Sequence, residues 1–326
     1  MTVAYQETAV AFGAADAPLI GIVTMPNGAL ESKPRAGVLI VVGGPQYRVG
    51  SHRQFVLLAR ALAARGLAVM RFDCSGMGDS GGTAQGFEAR DDDLRAALDA
   101  FFAAVPSLAD VTLWGLCDAA SAVLFYALSD ARVKRLALAN PWVRSDAGLA
   151  RTHLKHYYAA RLFDAGFWRA LFKGEVGVGK ALAGFAATLA RVARRDARNA
   201  VAGATFQTRM ANGWRGFSGE ILLICSGDDL TAHEFLDHVA SNDAWRGLID
   251  APRVTRRDLD AADHTFSRAV WRDQVAGWTA DWVLEARCPQ RARTDAQADA
   301  RTDAQADAQT GEQTGEQTAG PVRAAS

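Results

Sequence analysis

The chain has 326 residues, of which 49% are hydrophobic, enough for one sizeable core. Lys plus Arg and Asp plus Glu number 36 each, so charge favours neither nucleic acid nor an anionic membrane as a partner. No apolar run is long enough to span a bilayer, and residues 1–10 lack the pattern of a secretory signal. The cysteines are scattered without a CxxC pair, which favours a reduced, cytoplasmic protein.

Short apolar runs alternate with segments of helical periodicity through most of the chain. The apolar, β-branched runs predict strands at 36–43, 67–72, 111–114, 133–138, 221–225 and 253–257. Apolar residues at helical spacing predict helices at 51–65, 88–104, 118–129 and 266–286. Strands separated by helices favour an α/β fold, with a parallel sheet and helices on both faces.

Two segments depart from this alternation. Residues 142–215 contain aromatic-rich helical sequence between two predicted strands, so we expect an inserted helical cap, with ordinary core helices as the alternative. Such a cap would roof the crevice beyond the carboxyl ends of the strands, where open α/β sheets bind ligands. Residues 290–326 carry tandem RTDAQADA and QTGE repeats and predict a disordered tail. The remainder, 1–141 and 216–289, forms the predicted core.

The strand at 111–114 runs into the sequence GLCDA, which has the G-x-S-x-G pattern of a nucleophile elbow. Cys117 takes the serine position and Ala119 replaces the second glycine. Gly115 and Ala119 must be small because a tight strand-to-helix turn brings them close together. The turn places Cys117 at a helix N-terminus, whose partial positive charge favours the thiolate. A buried cysteine that only packs is the alternative for this pentapeptide in isolation.

An acid and a histidine follow at the ends of later strands. Asp229 comes just after an apolar strand, with Asp228 as the alternative, and His264 lies just before the closing helix. The order nucleophile, acid, histidine is typical of a triad whose members converge on one sheet edge. His264 would take the thiol proton or stabilise the thiolate, and the carboxylate would fix the imidazole tautomer. Asp263 is predicted either to support the triad from behind or to be a turn residue.

The loop after the first long apolar strand reads GGPQYR from residue 43. In an elbow-type site this loop supplies one N–H of the oxyanion hole, and the residue after the nucleophile, here Asp118, supplies the other. Because proline has no N–H, the loop donor is Gly44 or Gln46, and we favour Gln46. Tyr47 and Arg48 are predicted to border the pocket, with a solvated position as the alternative for Arg48.

The sequence predicts no cofactor and no metal. Residues 76–81 match G-x-G-x-x-G after a strand, but helical character starts only near residue 88, whereas a dinucleotide site needs a helix opening inside the motif. The histidines and cysteines show no metal-ligand spacing with an acidic partner.

With these residues assembled, the chain resembles the α/β-hydrolase superfamily, and within it the family called exosortase A system-associated hydrolase, type 1. The resemblance is carried by GGPQYRVGSHRQF at 43–55, RFDCSGMGDSGG at 71–82, GLCDAASA at 115–122, NPWVR at 140–144, SGDDLTAHEF at 226–235 and ADHTFS at 262–267. It implies an α/β-hydrolase fold with a cysteine elbow. Members of the family are encoded with bacterial exopolysaccharide and protein-sorting systems.

The residues and the resemblance together predict hydrolysis of an acyl ester or thioester through a Cys-His-Asp triad and an acyl-enzyme. An acyltransferase on the same triad and a non-catalytic binding protein of this fold are the alternatives. The expected partner is a small-molecule acyl substrate. The sequence predicts neither the acyl chain, nor the leaving group, nor the oligomeric state.

Overall fold

A computed structural model describes residues 5–27, 34–44, 46–143 and 205–285. Its strands are β1 (Tyr5–Ala14), β2 (Ala17–Pro26), β3 (Ala36–Val41), β4 (Ala68–Phe72), β5 (Asp110–Leu116), β6 (Val133–Ala139), β7 (Glu220–Asp228) and β8 (Val254–Asp263). They form one sheet in the order β1-β2-β4-β3-β5-β6-β7-β8. β2 runs antiparallel to both of its neighbours, and the pairs from β4 through β8 are parallel.

The helices of the described residues are α1 (Gln54–Ala64), α2 (Asp91–Ala104), α3 (Asp118–Tyr126), α4 (Phe206–Gly216), α5 (Leu230–Ser241) and α6 (Ala269–Glu285). None of them is long and apolar enough to cross a membrane. The chain forms two compact units, Met1–Ala280 and Asp281–Ser326, and the sheet and the site described below belong to the first.

Side chains alternate across the central strand β5, and this alternation places helices on both faces of the sheet. Leu113 packs in the buried cluster that includes Leu98 of α2 and Val123 of α3. Trp114, the next residue, points to the opposite face. Its ring packs edge-on against Phe55 of α1, with ring centroids 6.0 Å apart. The predicted α/β architecture is therefore confirmed.

Every predicted strand and helix is present, with ends that differ by a few residues, but the hairpin of β1 and β2 and the helix α5 were not identified. β1 exposes most of its side chains, so it lacks the continuous apolar run of a buried strand. Its Glu7 contacts Arg60 of α1 at 2.6 Å and Arg71 of β4 at 3.1 Å. Glu7 therefore connects this edge strand to both α1 and β4.

Most of the expected cap, residues 142–215, and all of the expected tail, residues 290–326, lie outside the described residues. The helix α4 falls within the expected cap, yet it buries Met210, Ala211 and Trp214 in the same cluster as α3. A Cβ added to Gly213 would lie 2.2 Å from the carbonyl oxygen of Leu124 in α3. The two helices therefore touch through their backbones, and α4 packs as a core helix.

We expect Gly213→Ala to lower the free energy of unfolding by about 1–3 kcal/mol, because the new Cβ forces α4 away from α3. Gly277→Ala in α6 is the matched control. An added Cβ there meets no atom within 4 Å, so this variant should gain from the higher helix propensity of alanine. Urea denaturation measures both variants, and equal changes in stability would contradict the backbone contact between α3 and α4.

Candidate active site

The carboxyl end of β5 turns sharply into α3 at Cys117, whose backbone has φ 63° and ψ −126°. Non-glycine residues rarely adopt a positive φ, and such strain persists only where the surrounding structure enforces it. Here the Cys117 N–H donates to the Ala139 carbonyl of β6 at 3.0 Å, continuing the parallel ladder. Gly115 permits the turn, since a Cβ there would lie 2.7 Å from the carbonyl carbon of the buried Ala119. The thiol is thereby fixed beyond the end of the sheet.

The imidazole of His264 lies between a carboxylate and the thiol. Its Nδ1 is 2.8 Å from Oδ2 of Asp229, and the side chain of Cys117 lies close enough to the ring to raise its pKa. The loop after β8 carries the histidine, and the end of β7 carries the acid. The structure thus brings together the three side chains that the sequence analysis grouped.

Asp229 contacts the histidine, whereas the neighbouring Asp228 is exposed at the end of β7. Asp229 is 8% exposed and caps α5, where its oxygens accept the N–H groups of Thr231 at 3.0 Å and Ala232 at 3.1 Å. The N-terminus of a helix stabilises a carboxylate through these N–H groups and through the helix dipole. The cap therefore orients the acid towards the histidine.

Opposing effects act on the pKa of His264. Burial lowers it, but hydrogen bonds to Asp229 and Cys117 and the charges of both groups outweigh burial and raise the pKa to about 10. The ring is therefore positively charged at neutral pH. A cation beside the sulfur stabilises a thiolate, which is the nucleophilic form of cysteine.

A buried polar network holds the main chain of His264. Asn140, fully buried at the end of β6 with φ 44°, donates from Nδ2 to the His264 carbonyl at 3.1 Å and to Ser226 Oγ at 2.9 Å. Its Oδ1 accepts the Ser226 N–H at 2.8 Å. Neither Asn140 nor Ser226 has a predicted role. The one sequence feature that could have indicated Asn140 is its position directly after a buried strand.

Asp263 fixes the other side of the histidine loop. Its carboxylate accepts the N–H groups of Thr265 at 3.1 Å and Ser267 at 3.0 Å, and it also bonds the Ser267 hydroxyl. Burial raises the pKa of Asp263, but these hydrogen bonds lower it below its ordinary value. Asp263 therefore shapes the turn and does not contact the imidazole through any hydrogen bond among the described residues.

A cavity of about 330 Å³ opens beside the thiol. Its apolar wall comes from four separate parts of the chain: Phe55, Phe87, Leu116 and Trp142. Its polar lining comprises Gly43, Gly44, Gln46, Cys117, Asp118 and His264. No local sequence pattern predicts this apolar wall, because its residues meet only in the folded chain.

The two sides of the predicted oxyanion hole meet at this cavity. Asp118 is the first residue of α3, and N–H groups in the first turn of a helix have no partner within the helix. The N–H of Gly44, one of the two loop candidates, instead donates to Asp118 Oδ2 at 2.9 Å. This bond leaves Gln46, which lines the cavity, as the loop donor that fits the site.

The structure corrects the predicted pocket position of Tyr47 and Arg48, since neither is among the described residues that line the cavity. The Arg48 guanidinium contacts the carboxylates of Asp73 and Asp79, the latter at 2.5 Å. Asp73 is fully buried and also accepts the Arg48 N–H at 2.5 Å. Contacts with these carboxylates hold the Arg48 side chain away from the cavity. The same contacts anchor the loop that carries Gln46.

The three cysteines of the described residues differ in burial. Burial raises the pKa of Cys74 and Cys225 to about 12 each, so their thiols stay protonated at neutral pH. Cys117 is partly exposed at the cavity. Within the described ranges, no group of three or more His, Cys, Asp and Glu side chains could hold a metal ion.

This strand order, with parallel strands joined through helices, is that of the α/β-hydrolase fold. No protein-family model and no curated protein matches the sequence. An esterase of Pyrococcus furiosus is similar over 86% of this chain and 93% of its own, at 15% identity and a TM-score of 0.57.

Two bacterial structures extend the comparison. Est1E of Butyrivibrio proteoclasticus, solved with ferulic acid, is similar over 85% of this chain and 98% of its own, at 15% identity and a TM-score of 0.54. A Xanthomonas campestris α/β serine hydrolase described as having no lid is similar over 85% and 95%, at 16% identity and a TM-score of 0.51. The chain therefore has the α/β-hydrolase fold.

We expect the His264 ring to titrate near pH 10 and to titrate at lower pH in Asp229→Asn, which removes the charge but keeps a good helix cap. NMR of the ring protons measures both midpoints. Because the folded-state pKa lies above the ordinary 6.5, this pairing stabilises the fold fully below that pH, and the contribution is lost as the pH rises towards 10. A wild-type midpoint near 6.5 would contradict the paired ring.

Proposed function

We propose that the chain is a hydrolase of acyl esters or thioesters, with Cys117 as nucleophile, His264 as proton carrier and Asp229 as the acid that orients the ring. The observation that carries the proposal is an imidazole hydrogen-bonded to a buried carboxylate, with the ring and the Cys117 thiol lining the same largely apolar cavity. Nucleophile, base and orienting acid in mutual contact are the signature of covalent acyl transfer.

In the proposed first step, the Cys117 sulfur attacks the substrate carbonyl carbon and forms a C–S bond. The carbonyl electrons move onto oxygen, and the N–H groups of Gln46 and Asp118 stabilise this oxyanion. When the oxyanion collapses, the bond to the leaving group breaks, and His264 donates its proton to that group. The acyl group is then held on sulfur as a thioester.

In the second step, the neutral imidazole of His264 takes a proton from water as the water oxygen attacks the thioester carbonyl. Collapse of the second oxyanion breaks the C–S bond, releases the carboxylic acid and restores the thiolate beside the imidazolium. Asp229 keeps Nδ1 of the ring turned towards itself, so the other ring nitrogen faces sulfur, leaving group and water. If another acceptor replaced water, the same acyl-enzyme would give transfer.

The cavity supports an uncharged acyl group as the part of the substrate that binds beside the thiol. Its wall of aromatic and aliphatic side chains offers apolar surface, and its polar lining includes the thiol and the imidazole. The Pyrococcus protein is named an esterase, and Est1E binds ferulic acid, an aromatic carboxylic acid. Both fit ester chemistry at a site of this kind.

The sequence resemblance to the exosortase A system-associated hydrolases, type 1, supports a narrower proposal. In that proposal, the chain acts beside a bacterial exopolysaccharide or protein-sorting system. The segments that carry the resemblance include the loop after β3, the GLCDA turn and the loop that carries His264, and all three contribute residues to the cavity.

We expect Cys117→Ala to lower kcat on p-nitrophenyl butyrate by at least about 10³-fold, because no other described thiol faces the cavity. Cys225→Ala is the matched control, since its thiol is buried in β7 away from the cavity lining. Circular dichroism checks that both variants fold. Full activity in Cys117→Ala would falsify the mechanism.

The adjacent acids provide a second matched pair. We expect Asp229→Asn to lower kcat by about 10²- to 10⁴-fold, because the imidazole loses the carboxylate that orients it. Asp228→Asn makes the same change one residue earlier on an exposed side chain and should leave kcat near the wild-type value. Steady-state kinetics separates the two, and equal losses would contradict the assignment of Asp229.

A further inference from the structure

The side chain of Asp118 lies between the two halves of the proposed oxyanion hole. Its Oδ2 accepts the N–H of Gly44 at 2.9 Å. Gly44 belongs to the loop that carries Gln46, the proposed loop donor, and the N–H of Asp118 is the other proposed donor. One residue therefore supplies one donor and holds the loop that supplies the second.

The packing around this carboxylate leaves it little freedom. A Cβ added to Gly43 would lie 2.0 Å from Asp118 Oδ1 and 2.9 Å from the Ala119 nitrogen. The loop can approach α3 this closely only because residue 43 is glycine. Oδ1 itself is buried and has no hydrogen-bond partner among the described residues. A buried acceptor without a partner is unfavourable, so this position is retained at a cost to stability.

A second carboxylate holds the other end of the same loop. Asp73 Oδ1 accepts the N–H of Arg48 at 2.5 Å, as Asp118 Oδ2 accepts the N–H of Gly44. Gln46 lies midway between these two anchored positions. Asp73 fixes the loop to the end of β4, whereas Asp118 fixes it to the helix that begins at the nucleophile. Of these two bonds, the Asp118 bond is therefore the one that ties the loop to the helix beginning next to Cys117.

We propose that Asp118 is a positioning residue whose carboxylate, through the Gly44 N–H, sets the spacing between the N–H groups of Gln46 and Asp118. The inference rests on the proposed function, because that spacing matters only if an oxyanion forms there. Oxyanion holes act through donors that are already in place when charge develops. The role needs a hydrogen-bond acceptor and not a negative charge, since a charge beside the oxyanion opposes its formation.

Asp118→Ala tests the proposal against Asp118→Asn. We expect Asp118→Ala to lower kcat on p-nitrophenyl butyrate by about 10- to 100-fold with KM little changed, since losing one oxyanion donor altogether costs about 10²- to 10³-fold. Asp118→Asn should recover most of this loss, because its amide oxygen can accept the Gly44 N–H. Alkylation of Cys117 by iodoacetamide should not slow in either variant, because removing a carboxylate next to the sulfur does not disfavour the thiolate.

Three kinetic results would overturn the proposal. The first is a wild-type kcat in Asp118→Ala. The second is an equal loss in Asp118→Asn, which would make the charge the active feature. The third is a fall in alkylation rate that matches the fall in kcat, which would mean a disturbed elbow. If Asp118→Ala does not fold, Asp118→Ser takes its place, since its shorter side chain keeps a polar residue at the start of α3.

Amide hydrogen exchange at Gly44 tests the contact independently of turnover. The Gly44 N–H should exchange faster in Asp118→Ala than in the wild type and remain slow in Asp118→Asn. Unchanged exchange in Asp118→Ala overturns the inference even if esters are hydrolysed. A different result would contradict the proposed function, namely a Cys117→Ala variant that still hydrolyses the ester. That result does not depend on the exchange rate of the Gly44 N–H.

Discussion

The backbone at Cys117 is held in a conformation that an isolated chain would avoid, and the rest of the site is arranged around that turn. A positive φ at a non-glycine residue costs about 1–3 kcal/mol, so buried structure on both sides must enforce it. The ladder bond to Ala139 holds the strand side, and α3, whose inner face is fully buried, holds the helix side. Gly43 and Gly115 let the loop and the helix approach without collision.

Charge is distributed around this turn so that the groups of the proposed triad are already paired in the folded chain. The N-terminus of α5 stabilises the Asp229 carboxylate, which in turn holds the His264 ring. Asn140 and Asp263 fix the main chain and the turn that carry the ring. A charged imidazole therefore meets the sulfur at the carboxyl end of the sheet.

Features encoded in adjacent residues could be predicted from the sequence. The elbow depends on five consecutive residues, and the sequence GLCDA contains both the small positions and the cysteine between them. The strands of the sheet core were likewise evident, because strands buried on both faces are continuous apolar runs. The sequence favours Asp229 over Asp228 as the acid that contacts His264, but it leaves both open. The cap of α5, which orients Asp229, is visible only in the folded chain.

Features that depend on distant partners could not be predicted. Arg48 was expected at the pocket, but Asp73 and Asp79 bind its guanidinium from a loop that follows a different strand. The aromatic wall of the cavity draws Phe87 and Trp142 from segments with no shared pattern.

The central claim is that an acyl group is carried on the Cys117 sulfur, and mass spectrometry of the intermediate tests it most directly. The protein is mixed with p-nitrophenyl butyrate, quenched in acid within the first turnovers, digested and sequenced by fragmentation. The account predicts that the peptide containing Cys117 gains the mass of one butyryl group and that hydroxylamine removes it. Turnover of the ester with no acyl group on that peptide, or with the acyl group on another residue, would contradict the account.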